Sequence, residues 1–108
     1  MVERFFTPKE ANQVLPQIKK IVEEILYRAH ETSVQDARIR VLMAQLEDTG
    51  CYYKDWNFEI GLVDFPAIIH GQQALLCWRS DESQVEWFHG YDDGYTGRRR
   101  VTKELVFS

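Results

Sequence analysis

All six glycines of this 108-residue chain lie between Gly50 and Gly97, and 11 of its 14 aromatic residues, with all three tryptophans, lie beyond Gly50. The first 49 residues hold no glycine and many Leu, Ile, Val, Glu, Lys and Gln. Most of these are good helix formers. The glycine-punctuated, aromatic remainder suits strands and turns. Gly50 is therefore expected just past a helix C-terminus, where glycine adopts positive φ without steric cost. The chain divides into a helical arm, residues 1–49, and an antiparallel sheet with a C-terminal loop, residues 50–108, in a single domain. A chain of this length can build one core and not two.

Thr7-Pro8-Lys9-Glu10 predicts a helix start. Thr7 can cap the Glu10 amide, Glu10 can reach back to the Thr7 amide, and Pro8 sits where it loses no hydrogen bond. Apolar residues follow at Ala11, Val14, Leu15, Ile18, Ile21, Val22, Ile25, Leu26 and Ala29, the spacing of one helical stripe. Pro16 interrupts this pattern and should kink the helix near Asn12, whose carbonyl it crowds. Ser33 and Asp36 read as a second capping box, opening a helix to about Thr49 with Val34, Ala37, Val41, Leu42 and Leu46 on its apolar side. Two arrangements stay open: a helical hairpin, or one long arm whose stripe a second copy of the chain covers.

Beyond Gly50, a short strand is expected around Tyr52-Tyr53. His70-Gly71 reads as a two-residue hairpin turn between Gly61–Ile69 and Gln73–Trp78. Ser80–Ser83 reads as the next turn, Gln84–His89 as a third strand, and Val101–Phe107 as a last one. Turns set register, and register sets which side chains share a face. Ile69 opposite Gln72 places Ala67 opposite Ala74. Ser80 opposite Ser83 places Trp78 opposite Val85, Leu76 opposite Trp87 and Ala74 opposite His89. The core face would then carry Ala67, Ile69, Ala74, Leu76, Trp78, Val85, Trp87 and His89. The other face would carry Leu75, Cys77, Arg79, Glu86 and Phe88, with Arg79 able to pair with Glu86. The fold class is α+β: an N-terminal helical hairpin or long helical arm, then a small antiparallel sheet of three to four strands.

In that register two alanines leave room beside His89, and Asp92 and Asp93 follow at once. A pocket with His89 as base or metal ligand fits this pattern, and so does a core-edge histidine that merely fills space. A metal site needs three or four converging ligands. His30, His70, His89, Cys51 and Cys77 show no His-x-x-x-His or Cys-x-x-Cys spacing, which argues against structural zinc. His89, Asp92 and Asp93, joined by Asp64, remain the lesser metal candidates, although Asp92-Asp93-Gly94 reads more simply as a turn. Cys77 reads as a small buried hydrophobe, since that register pairs no histidine with it. Arg98-Arg99-Arg100 could bind a phosphate or an acidic partner, or stand as a solvated run. No phosphate loop, nucleophile elbow or dinucleotide fingerprint is present.

The formal charge of −4, from 13 basic and 17 acidic side chains, argues against a general affinity for nucleic acid. The longest unbroken apolar run is Ala74–Trp78, far short of the roughly 20 residues of a membrane span. The first residues carry no export signal, and two cysteines without a paired spacing fit reduced thiols. A cytoplasmic protein is expected.

Phe6-Thr7-Pro8-x-Glu10-Ala11-Asn12 with Leu15-Pro16, then Gly61-Leu62-Val63-Asp64-Phe65-Pro66, Leu76-Cys77-Trp78, Glu82, His89 and Gly94-Tyr95-x-Gly97-Arg98, resemble the small bacterial proteins grouped as domain of unknown function 2203. The resemblance implies no known activity, cofactor or catalytic residue. It draws attention to the polar members of its motifs, Asp64, Glu82, His89 and Arg98, and separates Arg98 from the two arginines that follow it. The leading expectation is a homodimeric interaction or ligand-binding module without catalysis, its partner a second copy, a small anionic ligand or an acidic protein. The alternative is a small enzyme or metal-dependent ligand binder, with His89 as base or ligand, Asp64 or Glu82 as its carboxylate and Arg98 as an anion clamp. No cofactor is named by the sequence.

Overall fold

The capping box spelled by Thr7 and Glu10 is made in full. Glu10 N donates to Thr7 Oγ1 at 3.1 Å and Thr7 N donates to Glu10 Oε1 at 2.9 Å. From it α1 runs over Pro8–Glu31, passing through Pro16, and α2 over Ala37–Asp48. The computed structural model describes residues 4–33, 35–55 and 57–102, the side chain of Tyr95 excepted. Val34 and residues 103–107 of the expected last strand lie outside these. Asp36, not Ser33, caps α2: its carboxylate accepts from Arg38 N at 2.8 Å. Ser33 Oγ instead accepts from Gln35 N, inside the connecting turn.

The two helices form a hairpin. Arg28 of α1 bonds Asp36, the cap of α2, at 3.3 Å, and Glu24 one turn earlier bonds Arg38 at 3.2 Å, a pairing order that only antiparallel helices allow. Gly50 follows α2 with φ +94°, and its N–H satisfies the Glu47 carbonyl at 2.9 Å. It is the expected glycine stop.

Five strands follow in the spatial order of the chain: β1 Tyr52–Tyr53, β2 Leu62–Ile69, β3 Gln72–Arg79, β4 Trp87–His89 and β5 Arg99–Arg100. All neighbours are antiparallel. The expected three to four strands become five because two residues suffice at each edge. The β2–β3 hairpin turns on His70 and Gly71, both at positive φ (53° and 74°), and its register has Ala67 opposite Ala74 as expected.

The β3–β4 register differs from expectation by one residue. Leu75 faces His89, Leu76 faces Phe88 and Cys77 faces Trp87. The connection is no two-residue hairpin but the whole span between Arg79 and Trp87, and α1 holds it. Val85 N donates to Asn12 Oδ1 at 2.7 Å while Asn12 Nδ2 donates to Val85 O at 3.1 Å. Lys19 Nζ reaches Ser83 O at 3.1 Å, and Trp78 Nε1 donates to Glu82 O at 2.9 Å. A slip of one residue exchanges the faces of a strand. His89 and Trp87 therefore leave the expected core face and Phe88 joins it. The expected Arg79–Glu86 pair is replaced by contacts from Arg79 to Asp81 and from Arg100 to Glu86.

The helix-side face of the sheet carries Val63, Phe65, Ala67, Ile69, Ala74, Leu76, Trp78 and Phe88, which pack with Leu15, Ile18, Val22, Ile25, Leu42 and Leu46 of the hairpin in one core. The helical stripe is thus covered by the chain's own sheet. Pro66 sits within β2 without loss to the β3 ladder. The carbonyls of Leu62 and Pro66 accept from Lys54 N and Phe6 N, so the even-numbered residues of β2 point their backbone groups away from β3. No helix among the described residues is long and apolar enough to cross a membrane.

Candidate functional site

The same backbone phase builds the site. Asp64 lies opposite Cys77 in a pair that exchanges no backbone hydrogen bonds, the kind whose Cα atoms come within about 4.5 Å and whose side chains crowd together. Leu75 brings His89 of β4 alongside on the same face. All three side chains are buried, Asp64 at 2%, Cys77 at 2% and His89 at 4% exposure. His89 Nε2 lies 3.4 Å from Asp64 Oδ1, and Lys54 Nζ lies 3.8 Å from Asp64 Oδ2. The group forms the wall of a cleft of about 270 Å³, completed by Lys54, Leu62, Leu75, Tyr91 and Gly94. Sheet and C-terminal loop meet there, on the face away from the helices.

Burial sets the electrostatics. It pushes the Asp64 carboxyl above its ordinary value of 3.8, against the opposing pull of His89 and then Lys54. It pushes the Cys77 thiol up to about 12, with the Asp64 carboxylate adding to the effect. The orientation of His89 follows from Gly90. Its Nδ1 lies 2.8 Å from the Gly90 carbonyl, which can only accept, so Nδ1 carries a proton and Nε2 faces Asp64.

The four residues singled out from the sequence fall into two pairs that flank Cys77. Asp64 and His89 make the first. In the second, Arg98 Nη2 donates to both Glu82 oxygens, at 2.7 and 2.9 Å, and to the Cys77 carbonyl at 3.3 Å. Arg98 also lies 4.9 Å above the Trp87 ring, whose other neighbour is Arg100 at 4.8 Å. Arg98 and Glu82 are absent from the cleft lining, and both Glu82 oxygens take the Nη2 of the guanidinium that was expected to clamp an anion. Asp93 does what the turn reading expected, accepting from Gly90 N at 3.1 Å, and Asp92 is exposed. Neither joins the group around His89.

Sequence reasoning missed Lys54, Tyr91 and the part played by Cys77. The signal for Cys77 was present: once Ala67 faces Ala74, counting back three residues pairs Asp64 with Cys77. What hid the site was the misplaced His89. A family model described as Uncharacterized conserved protein (DUF2203) matches residues 25–101, a span that holds Asp64, Cys77, Glu82, His89 and Arg98 but begins after the Thr7–Pro16 motif. No curated protein and no solved structure matches the chain.

Proposed function

The chain belongs to the domain of unknown function 2203 family, and from that premise we propose that it is a binding module for a small polar ligand, taken up without covalent chemistry. The observation that supports this reading is a buried carboxylate–imidazole pair opening onto a cleft with apolar walls, Leu62 and Leu75, and a cation, Lys54, at one side. Apolar walls with a few convergent polar groups are the usual make-up of small-ligand sites. A structural histidine would need only a hydrogen-bond partner; here the acid, the base and the cation share one opening. Lys54 is half exposed and can swing from Asp64 toward an incoming anionic group.

Amide chemical shifts of the full chain report on this directly, with acetate, glycolate, inorganic phosphate and imidazole as probes. At least one probe is expected to move the amides of Lys54, Leu62, Tyr91 and Gly94 together, and to lose that effect in Leu62→Trp, which fills the cleft. Shifts scattered elsewhere, or unchanged by Leu62→Trp, overturn the reading.

A further inference from the structure

The geometry points to a binding site for one divalent transition-metal ion, zinc by its donor chemistry, held by Asp64, Cys77 and His89, an inference that rests on the cleft being the ligand site. Among the described residues these three gather one ligand atom each within 4.8 Å of one another. In a tetrahedral zinc site with bonds of about 2.0–2.3 Å, ligand atoms stand roughly 3.3–3.7 Å apart. The His89 Nε2 to Asp64 Oδ1 separation of 3.4 Å already matches such an edge. The remaining separations, up to 4.8 Å, exceed such edges by roughly 1–1.5 Å.

A second, independent observation concerns His89. Metal-bound histidines typically donate their other ring N–H to a carbonyl or carboxylate, which fixes the tautomer and aims the lone pair at the ion. The Gly90 carbonyl does this at Nδ1. It aims Nε2 at the Asp64 carboxylate, 3.4 Å away, with the Cys77 sulfur in the same group. The thiol selects the kind of ion. Thiolate, imidazole and carboxylate together suit zinc or cobalt and not magnesium or calcium. The sequence hid the set because its members come from three strands, with no local spacing to betray them.

Three protein ligands leave a fourth position open, and the cleft with Lys54 and Tyr91 lies on that side. Open fourth positions belong to zinc sites that take up a further ligand, closed ones to structural zinc. On binding, Cys77 forms a sulfur–metal bond and its thiol proton goes to solvent. No electron is transferred.

The test is a titration of the chelator-stripped full-length protein with Co²⁺, followed by displacement with Zn²⁺. One equivalent of Co²⁺ is expected to give a thiolate-to-metal charge-transfer band with intense visible bands of a four-coordinate ion, both abolished by zinc. Cys77→Ser should remove the charge-transfer band. His89→Gln and Asp64→Asn should each weaken binding at least tenfold, and Cys51→Ser should change nothing. X-ray absorption of the zinc-loaded wild type needs no variant and should show one sulfur ligand among nitrogen and oxygen. Absence of a charge-transfer band, a band that survives in Cys77→Ser, or a zinc shell without sulfur overturns the metal site. Should cobalt fail while a small probe still moves the cleft amides, the metal inference falls and the ligand-binding reading stands. Should cobalt bind with no probe response, the metal site stands and the broader reading falls.

Discussion

The two faces of the sheet are written by alternate residues of the same strands, yet they solve opposite problems. Val63, Phe65, Leu76 and Trp78 meet the helices as a wholly apolar layer. Their immediate neighbours Asp64 and Cys77 are as deeply buried but titratable. On the helix side, burial stabilises the fold by roughly 25 cal/mol per Å² of apolar surface. On the other side the same burial raises the energy of a carboxylate. Such a group stays buried at a cost in stability that the helix side does not bear.

Adjacent residues test this contrast most strongly. Leu76→Ala, at a fully buried site, should cost about 3–5 kcal/mol in urea or guanidinium unfolding, the range of core truncations that leave a cavity. Leu75→Ala enlarges a cleft that water already reaches, so its loss should be smaller by at least about 1 kcal/mol. Equal losses would erase the distinction between the faces.

Gly61→Ala probes how closely the helix side is packed. A Cβ there would stand 2.3 Å from Val22 Cγ1 and 3.1 Å from Ser80 Cβ. A loss of about 1–3 kcal/mol is expected, as for other overpacked sites, with no change in ligand or metal affinity.

Asn12→Ala removes the clamp between α1 and Val85, two residues before β4. About 1–2 kcal/mol should be lost, because the N–H and C=O of Val85 both lose their partner. Hydrogen exchange should show the β4 amides loosening more than those of β2.

Asp64→Asn should act in the other direction. Folded Asp64 titrates above its unfolded value of 3.8, so folding favours its protonated form. Its contribution is complete below that pH and is lost as pH rises through the higher folded value. In metal-free protein at pH 7 the variant should therefore be more stable than wild type by up to about 1 kcal/mol, the gain vanishing below about pH 4. A variant less stable at pH 7 would place Asp64 among the residues that hold the fold.

How far each face could be read from the chain follows from the length of its turns. The Thr7–Glu10 box, the Gly50 stop and the two-residue turn at His70-Gly71 are local signals, and each was legible with its consequences. The β2–β3 register followed, and with it the core face of those two strands. The β3–β4 connection has no local rule. Its path depends on Asn12, 73 residues away from Val85 in the chain, and no periodicity in either segment announces that contact. The one-residue difference was harmless to the fold class, but it moved His89 across the sheet and so concealed the three-strand cluster. Glu82 and Arg98 were singled out with Asp64 and His89 as one pocket, and their pairing with each other could be seen only with the loop folded back.

That long clamp also bears on how the chain is made. A polypeptide leaves the ribosome from its N-terminus, so the helical hairpin emerges well before the residues that secure it: Pro66, whose carbonyl takes the Phe6 N–H, and Val85, which Asn12 grips from both sides. Until β2 and β3 have followed, the hairpin's apolar stripe has no sheet to meet, and an uncovered stripe of that kind is open to wrong association.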